Sequence, residues 1–97
     1  MSHAVVPESI RAAIFHAPGE PLEIREFPRP TISNGETLVR VECCTLCGSD
    51  LHTYLGKRSG PTPTVLGHEI LGRIVQFGPQ HSKQDWRGEP LKIGDLI

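Results

Sequence analysis

The sequence predicts a mostly β domain, and three observations carry that expectation. Ten glycines and nine prolines interrupt the 97 residues so often that no stretch keeps the 3.6-residue apolar period of a long helix. Several short runs instead alternate apolar and polar residues in strand fashion. A hydrophobic share of 37% beside 22% charged residues suits one small globular domain that buries a core without a disulfide lattice.

Taken in order, "RAAIFHAPGEPLEIREFP" (Arg11 to Pro28) reads as two strands joined at Pro18-Gly19-Glu20, with Ile14, Leu22, Ile24 and Phe27 facing inward. A connector with an Asn34-Gly35 turn signal leads into "TLVRVECC", where Val39, Val41 and Cys43 share one face. "SDLHTYLG" (Ser49 to Gly56) carries an N-cap residue, Ser or Asp, ahead of one or two helical turns that stop at a glycine. "KRSGPTPTVL" reads as an exposed basic and proline-rich loop. Ile70 to Phe77 reads as a strand bent at Gly72. "PQHSKQDWRGEP" reads as polar and flexible, and "LKIGDLI" as the start of a further strand. Ile14, Leu22, Ile24, Val39, Val41, Ile74 and Val75 are expected to form the only core.

A formal net charge of -1 with scattered Lys and Arg gives no electrostatic footprint for nucleic acid or an anionic membrane. The first fifteen residues lack a basic cluster followed by an apolar run, and no apolar stretch approaches the length of a membrane span. The expectation is a soluble, cytoplasmic protein. An odd number of closely spaced cysteines suits a reducing compartment and metal or thiol chemistry.

All three cysteines fall in "CCTLC" (Cys43 to Cys47). Cys44 and Cys47 make a C-x-x-C, which is either a redox pair or half of a zinc site. A redox pair belongs between a strand and a substantial helix, and a zinc ribbon needs a second ligand pair downstream; neither context is present. Cys43 and Cys44 therefore read as small apolar strand residues. Cys47 differs, because Ser49, Asp50 and His52 follow it closely, and "GHE" (Gly67-His68-Glu69) offers an imidazole at another glycine-flanked strand end. Thiolate and imidazole are usual zinc donors, and a catalytic zinc takes three protein ligands and leaves one position open. Cys47 and His68 are expected to approach one another in the fold. Asp50 suits a supporting role, accepting a hydrogen bond from the far nitrogen of His68. Glu69 is a debatable third ligand, since neighbours at a strand start point their side chains apart. His3, His16 and His81 read as ordinary surface residues.

"CGSDLH" followed by "GHEILGRIVQFG" resembles the zinc-dependent alcohol dehydrogenases of the medium-chain dehydrogenase/reductase family. Gly67, His68, Glu69, Gly72 and Gly78 meet the family pattern, and the terminal "GDLI" is similar to its Gly-Asp-x-Val segment. The resemblance runs from about Arg11 to Ile97. It implies the amino-terminal catalytic domain of that family, a GroES-like, partly open β-barrel with one or two short helices. It further implies that Cys47 and His68 ligate zinc, with Glu69 as an adjacent carboxylate near the metal, and that Asp50 holds the ligand histidine. Ser49 takes the alcohol proton in that scheme, and His52 passes it to solvent by way of the cofactor ribose. The implied reaction oxidises a small-molecule alcohol, of polyol or threonine type among the options, by hydride transfer to NAD or NADP. The full-length enzyme is expected to be a homo-oligomer.

Departures from the family bear on substrate and completeness. Gly48 stands where liver-type enzymes carry a basic residue for the cofactor pyrophosphate, and the stretch 79–91, with Trp86, is longer than the family's turn. No two glycines are spaced G-x-G, so the dinucleotide fingerprint is missing. The expectation is a fragment, residues 1–97, without the nucleotide-binding Rossmann domain, the third zinc ligand or a structural zinc lobe. Such a piece should be metal-free or partly loaded and inactive. A non-catalytic GroES-like assembly module and a zinc-free quinone reductase relative remain as alternatives, which need neither the cysteine nor the Gly-His-Glu pattern.

Overall fold

Four strands and one short helix form among the described residues, 6–97, of the computed structural model: β1 (Ser9–Ile14), β2 (Glu23–Pro28), β3 (Thr37–Thr45), α1 (Gly48–Tyr54) and β4 (Glu69–Phe77). The class is mostly β, as predicted. His3 lies outside the described residues. β1 pairs antiparallel with β2, from Ser9 opposite Pro28 to Ile14 opposite Glu23, and β3 pairs with β4 in a second two-stranded sheet. The chain divides into two compact units, one of Glu8–Arg29 and Cys44–Ile70, the other built chiefly of Pro30–Cys43 and Leu71–Ile97.

In the first unit the expected turn is present. Glu20 N–H donates to the Ala17 carbonyl (3.2 Å), and Gly19 takes the positive φ of 76° that a Pro-Gly turn requires. The ladder ends earlier than a tight hairpin would, because Phe15 leaves it to pair with Thr64: Phe15 N–H donates to the Thr64 carbonyl at 2.7 Å, and Thr64 N–H returns at 3.1 Å. Phe15 is 2% exposed and its ring lies 6.2 Å from that of Tyr54 on α1. One apolar residue therefore joins β1, the helix and the loop before His68. The helix ends in a Schellman motif: Lys57 N–H donates to the His52 carbonyl, Gly56 N–H to that of Thr53, and Gly56 sits at φ 81°.

In the second unit, Ile74 and Val75 are buried on β4. Gly72 lies close against β3, where a Cβ would run into Val39 and the Arg40 main chain. Arg73 joins Glu42 of β3 (3.1 Å) to the Gly94 carbonyl (3.0 Å).

Four expectations are corrected. Leu22, Ile24 and Val41 are exposed, and the buried apolar residues split between the units, Ile14 and Phe15 in one and Ile74 and Val75 in the other. Alternation reveals which side chains share a face; it does not reveal whether a second layer covers that face. The terminal segment adds only a single bridge, Arg73 to Leu96, instead of a strand. The loop expected to be flexible contains an ordered turn, in which the Asp85 carboxylate accepts from Arg87 N–H (2.8 Å) and Glu89 N–H (2.9 Å) and Gly88 holds φ 84°. His81 is no idle surface residue: its Nδ1 accepts from Lys83 N–H (2.7 Å), its Nε2 meets Thr37 Oγ1 (2.9 Å), and its ring packs 4.7 Å from Phe77. His16 likewise has a partner, Glu23, at 2.7 Å.

Phe15→Ala should cost about 3 to 5 kcal/mol in urea unfolding, the usual range for a buried aromatic. Ile24→Ala, at a position 65% exposed, should stay within about 0.5 kcal/mol of the parent.

Candidate metal centre

The site lies wholly in the first unit, where the end of β3, the start of α1 and the segment before β4 supply its residues. Cys47 is the N-cap of α1, with extended backbone (φ -112°, ψ 173°), so the cap is neither of the residues expected from sequence. The helix begins at Cys47 because Asp50, three residues on, turns its carboxylate back: Oδ2 accepts from Cys47 N–H at 3.1 Å. The other oxygen, Oδ1, accepts from Gly67 N–H at 3.1 Å and lies 3.5 Å from His68 Nδ1. One carboxylate thus spans seventeen residues of sequence and holds both donor segments.

Gly67 must be glycine for this to work. Its φ is 107°, and a Cβ there would lie 2.5 Å from Cys44 Sγ. Cys44, itself exposed, thus occupies the space that a side chain at position 67 would need. Asp50 is the one buried charged residue among those described, at 7% exposure. The Cys47 amide hydrogen bond, and after it those of Gly67 and the nearby His68, hold its pKa below the ordinary 3.8 against the opposing effect of burial.

The result is a sulfur and a nitrogen facing each other. His68 Nε2 lies 3.1 Å from Cys47 Sγ, while Nδ1 faces Asp50. Ligand atoms of Cys47, Asp50 and His68 fall within 4.8 Å of one another, the one such group of potential metal donors among the described residues. The donor set fits zinc: bonds of about 2.3 Å to sulfur and about 2.0 Å to nitrogen at a tetrahedral angle need these atoms roughly 3.6 Å apart, about half an ångström more than they are now. Asp50 already spends both oxygens on backbone amides, so its fitting role is to orient His68.

The remaining predicted residues sort by distance. Ser49 Oγ lies 2.8 Å from Cys47 Sγ. His52 is exposed one turn further along α1, at i+3 from Ser49, on the same side of the helix. Glu69 lies outside the cluster, its carboxylate accepting from Thr45 Oγ1 at 3.0 Å, in line with the expected divergence of neighbours at a strand start. Sequence reasoning missed Thr45 as that partner and Phe15 as the tie behind the site, neither of which carries a local signal. It also missed the cleft of about 430 Å³ beside the donor pair, which Ser49, Asp50, Arg58, Thr64, Leu66 and His68 help to line.

Comparison with known proteins gives a consistent picture. The family described as alcohol dehydrogenase GroES-like domain matches residues 33–97. A sorbitol dehydrogenase of Bacillus subtilis is 39% identical over 101 residues, taking in 100% of this chain and 26% of its own length. Alcohol dehydrogenase 1 of Caenorhabditis elegans is 41% identical over 75 residues, 75% of this chain and 22% of its own. The crystal structure of an alcohol dehydrogenase from Thermotoga maritima superposes with a TM-score of 0.80 at 37% identity, over 91% of this chain and 24% of that one. The fold is therefore GroES-like, and the chain spans about a quarter of the length of these relatives.

Because Asp50 joins the two segments, the amide protons of Cys47 and Gly67 should titrate together in NMR spectra, with a shared midpoint below 3.8. A carboxylate with a depressed pKa contributes stability above its unfolded value and loses it as pH falls through the folded one. Asp50→Asn should abolish both titrations, and independent midpoints for the two amides would break the proposed link.

Proposed function

The chain belongs to the alcohol dehydrogenase GroES-like domain family, and from that premise we propose that it supplies the zinc donors and proton path of a dehydrogenase that oxidises an alcohol to a carbonyl by hydride transfer to NAD or NADP. The observation that carries this reading is the 3.1 Å approach of Cys47 Sγ and His68 Nε2 across twenty-one residues of sequence. An assembly module would have no use for that pair.

Cys47 and His68 are the residues that would hold zinc, with Glu69 adjacent. Zinc, when bound, is a Lewis acid that lowers the pKa of an alcohol. The chain's own residues do the rest of the work assigned to it. Asp50 faces His68 Nδ1 and so keeps the proton there, leaving Nε2 with a free lone pair. Ser49 Oγ, beside the sulfur, accepts the proton of the alcohol hydroxyl. His52, on the same side of α1 and exposed, passes that proton to solvent. The cofactor-binding domain and a further zinc ligand are assigned to sequence beyond these 97 residues.

On this reading, dialysis of the 97-residue chain against a mild chelator leaves zinc below one equivalent, and Cys47→Ser leaves none. Zinc bound as well by C47S as by the parent would contradict it. In a chain extended to the relatives' length, Ser49→Ala should lower kcat for alcohol-dependent NAD or NADP reduction about 10²-fold with zinc content unchanged. Full activity in S49A would remove Ser49 from the proton path.

A further inference from the structure

Asp50 also borders a second hollow, of about 400 Å³, whose other walls are almost wholly apolar. It lies entirely within the first unit. Four of the aliphatic residues that line it are open to solvent: Leu46 is 82% exposed, and Leu22, Leu51 and Val65 are about half exposed. Ile24, opposite the lining residue Ala13 in the β1–β2 ladder, continues the same face and is exposed as well. Single exposed leucines are ordinary on a protein surface, but five large aliphatic side chains around one hollow mark a surface made to be covered.

The lining restricts what covers it. Cys47, Ser49 and His68 do not border this hollow, so an alcohol seated there is out of reach of the donor pair. A second copy docked about a twofold axis would set the concave patch against itself and leave the hollow unfilled. The one charged group at the hollow, Asp50, is already engaged by two backbone amides, so the covering surface is apolar and uncharged. The chain spans about a quarter of its relatives' length, and most of such a polypeptide is available to supply that surface.

We infer that this hollow is the seat of the polypeptide that continues beyond Ile97, which docks apolar side chains against Leu22, Leu46 and Leu51 and thereby stiffens the donor pair. The inference rests on the reading above, in which further sequence completes the dehydrogenase. Leu46 immediately precedes the N-cap Cys47, and Leu51 lies on α1, so the docked surface holds the start of the helix from its apolar side. It also shuts water out of the hollow that Asp50 borders. The carboxylate's hydrogen bonds to the Cys47 and Gly67 amides strengthen as the local dielectric falls.

Hydrogen exchange of the Cys47 and Gly67 amides tests this, compared between the 97-residue chain and a chain extended to its relatives' length, both zinc-free. Exchange at both amides should be about tenfold or more slower in the extended chain. Leu22→Glu and Leu46→Glu should leave exchange and the urea midpoint of the 97-residue chain unchanged, because both positions are exposed there. In the extended chain each should return exchange to the rate of the 97-residue chain, and the milder Leu46→Ala should do so in part. Equal exchange in the two parent chains overturns the inference, as does protection that survives both glutamate variants. Self-association of the 97-residue chain in sedimentation that Leu46→Glu abolishes, with the extended chain unaffected by that variant, also overturns it and makes a second copy the occupant. Zinc binding that depends on Cys47 is measured separately in the extended chain. Protection without such binding sinks the dehydrogenase reading and leaves the docking surface standing; zinc bound without protection sinks the docking surface alone.

Discussion

The site depends on one carboxylate. Asp50 accepts a hydrogen bond from the amide of Cys47 and another from that of Gly67, and it faces the imidazole of His68. Those three contacts start a helix at the thiol, fix a glycine in a conformation closed to other residues, and aim an imidazole nitrogen at the sulfur. Each alone is ordinary; a buried carboxylate that satisfies all three sets the geometry of the donor pair. Unpaired, the same buried charge would be costly, which is why both oxygens are engaged by amides.

Behind Asp50 stands a small apolar scaffold. Phe15 pairs through its backbone with Thr64 and packs its ring toward Tyr54, so the loop that carries His68 and the helix that Cys47 caps are tied to the same strand end. The Gly19 amide adds a further tie, donating to the Tyr54 carbonyl at 3.0 Å. The hairpin β1–β2 therefore serves the site although none of its side chains is a donor. The spacing of the Cys47–His68 pair is thus held by groups outside the pair itself.

Much of this was legible in the sequence, for reasons that differ by residue. Glycine and proline spacing placed the strands, and the glycine after Tyr54-Leu55 marked the helix end, since a Schellman motif requires a positive φ there. The approach of Cys47 and His68 was legible because each stands at a glycine-flanked strand end. Core membership was not. Ile24 and Val41 have the pattern of buried strand residues but lie exposed on two-stranded sheets, and Leu22, just ahead of β2, is exposed as well. Phe15 was not among the expected core residues, and its bridge to Thr64 spans forty-nine positions, a separation on which no local pattern bears.

The most direct measurement of the central claim is a cobalt(II) titration of the zinc-free protein, followed by the thiolate-to-metal charge-transfer absorption. The account predicts a band that vanishes in both Cys47→Ser and His68→Ala, and an affinity about 10- to 100-fold weaker in Asp50→Ala, in which both donors remain but the carboxylate that aligns them is gone. A band of unchanged intensity and affinity in Asp50→Ala would show that Cys47 and His68 find each other without it, and would contradict the account.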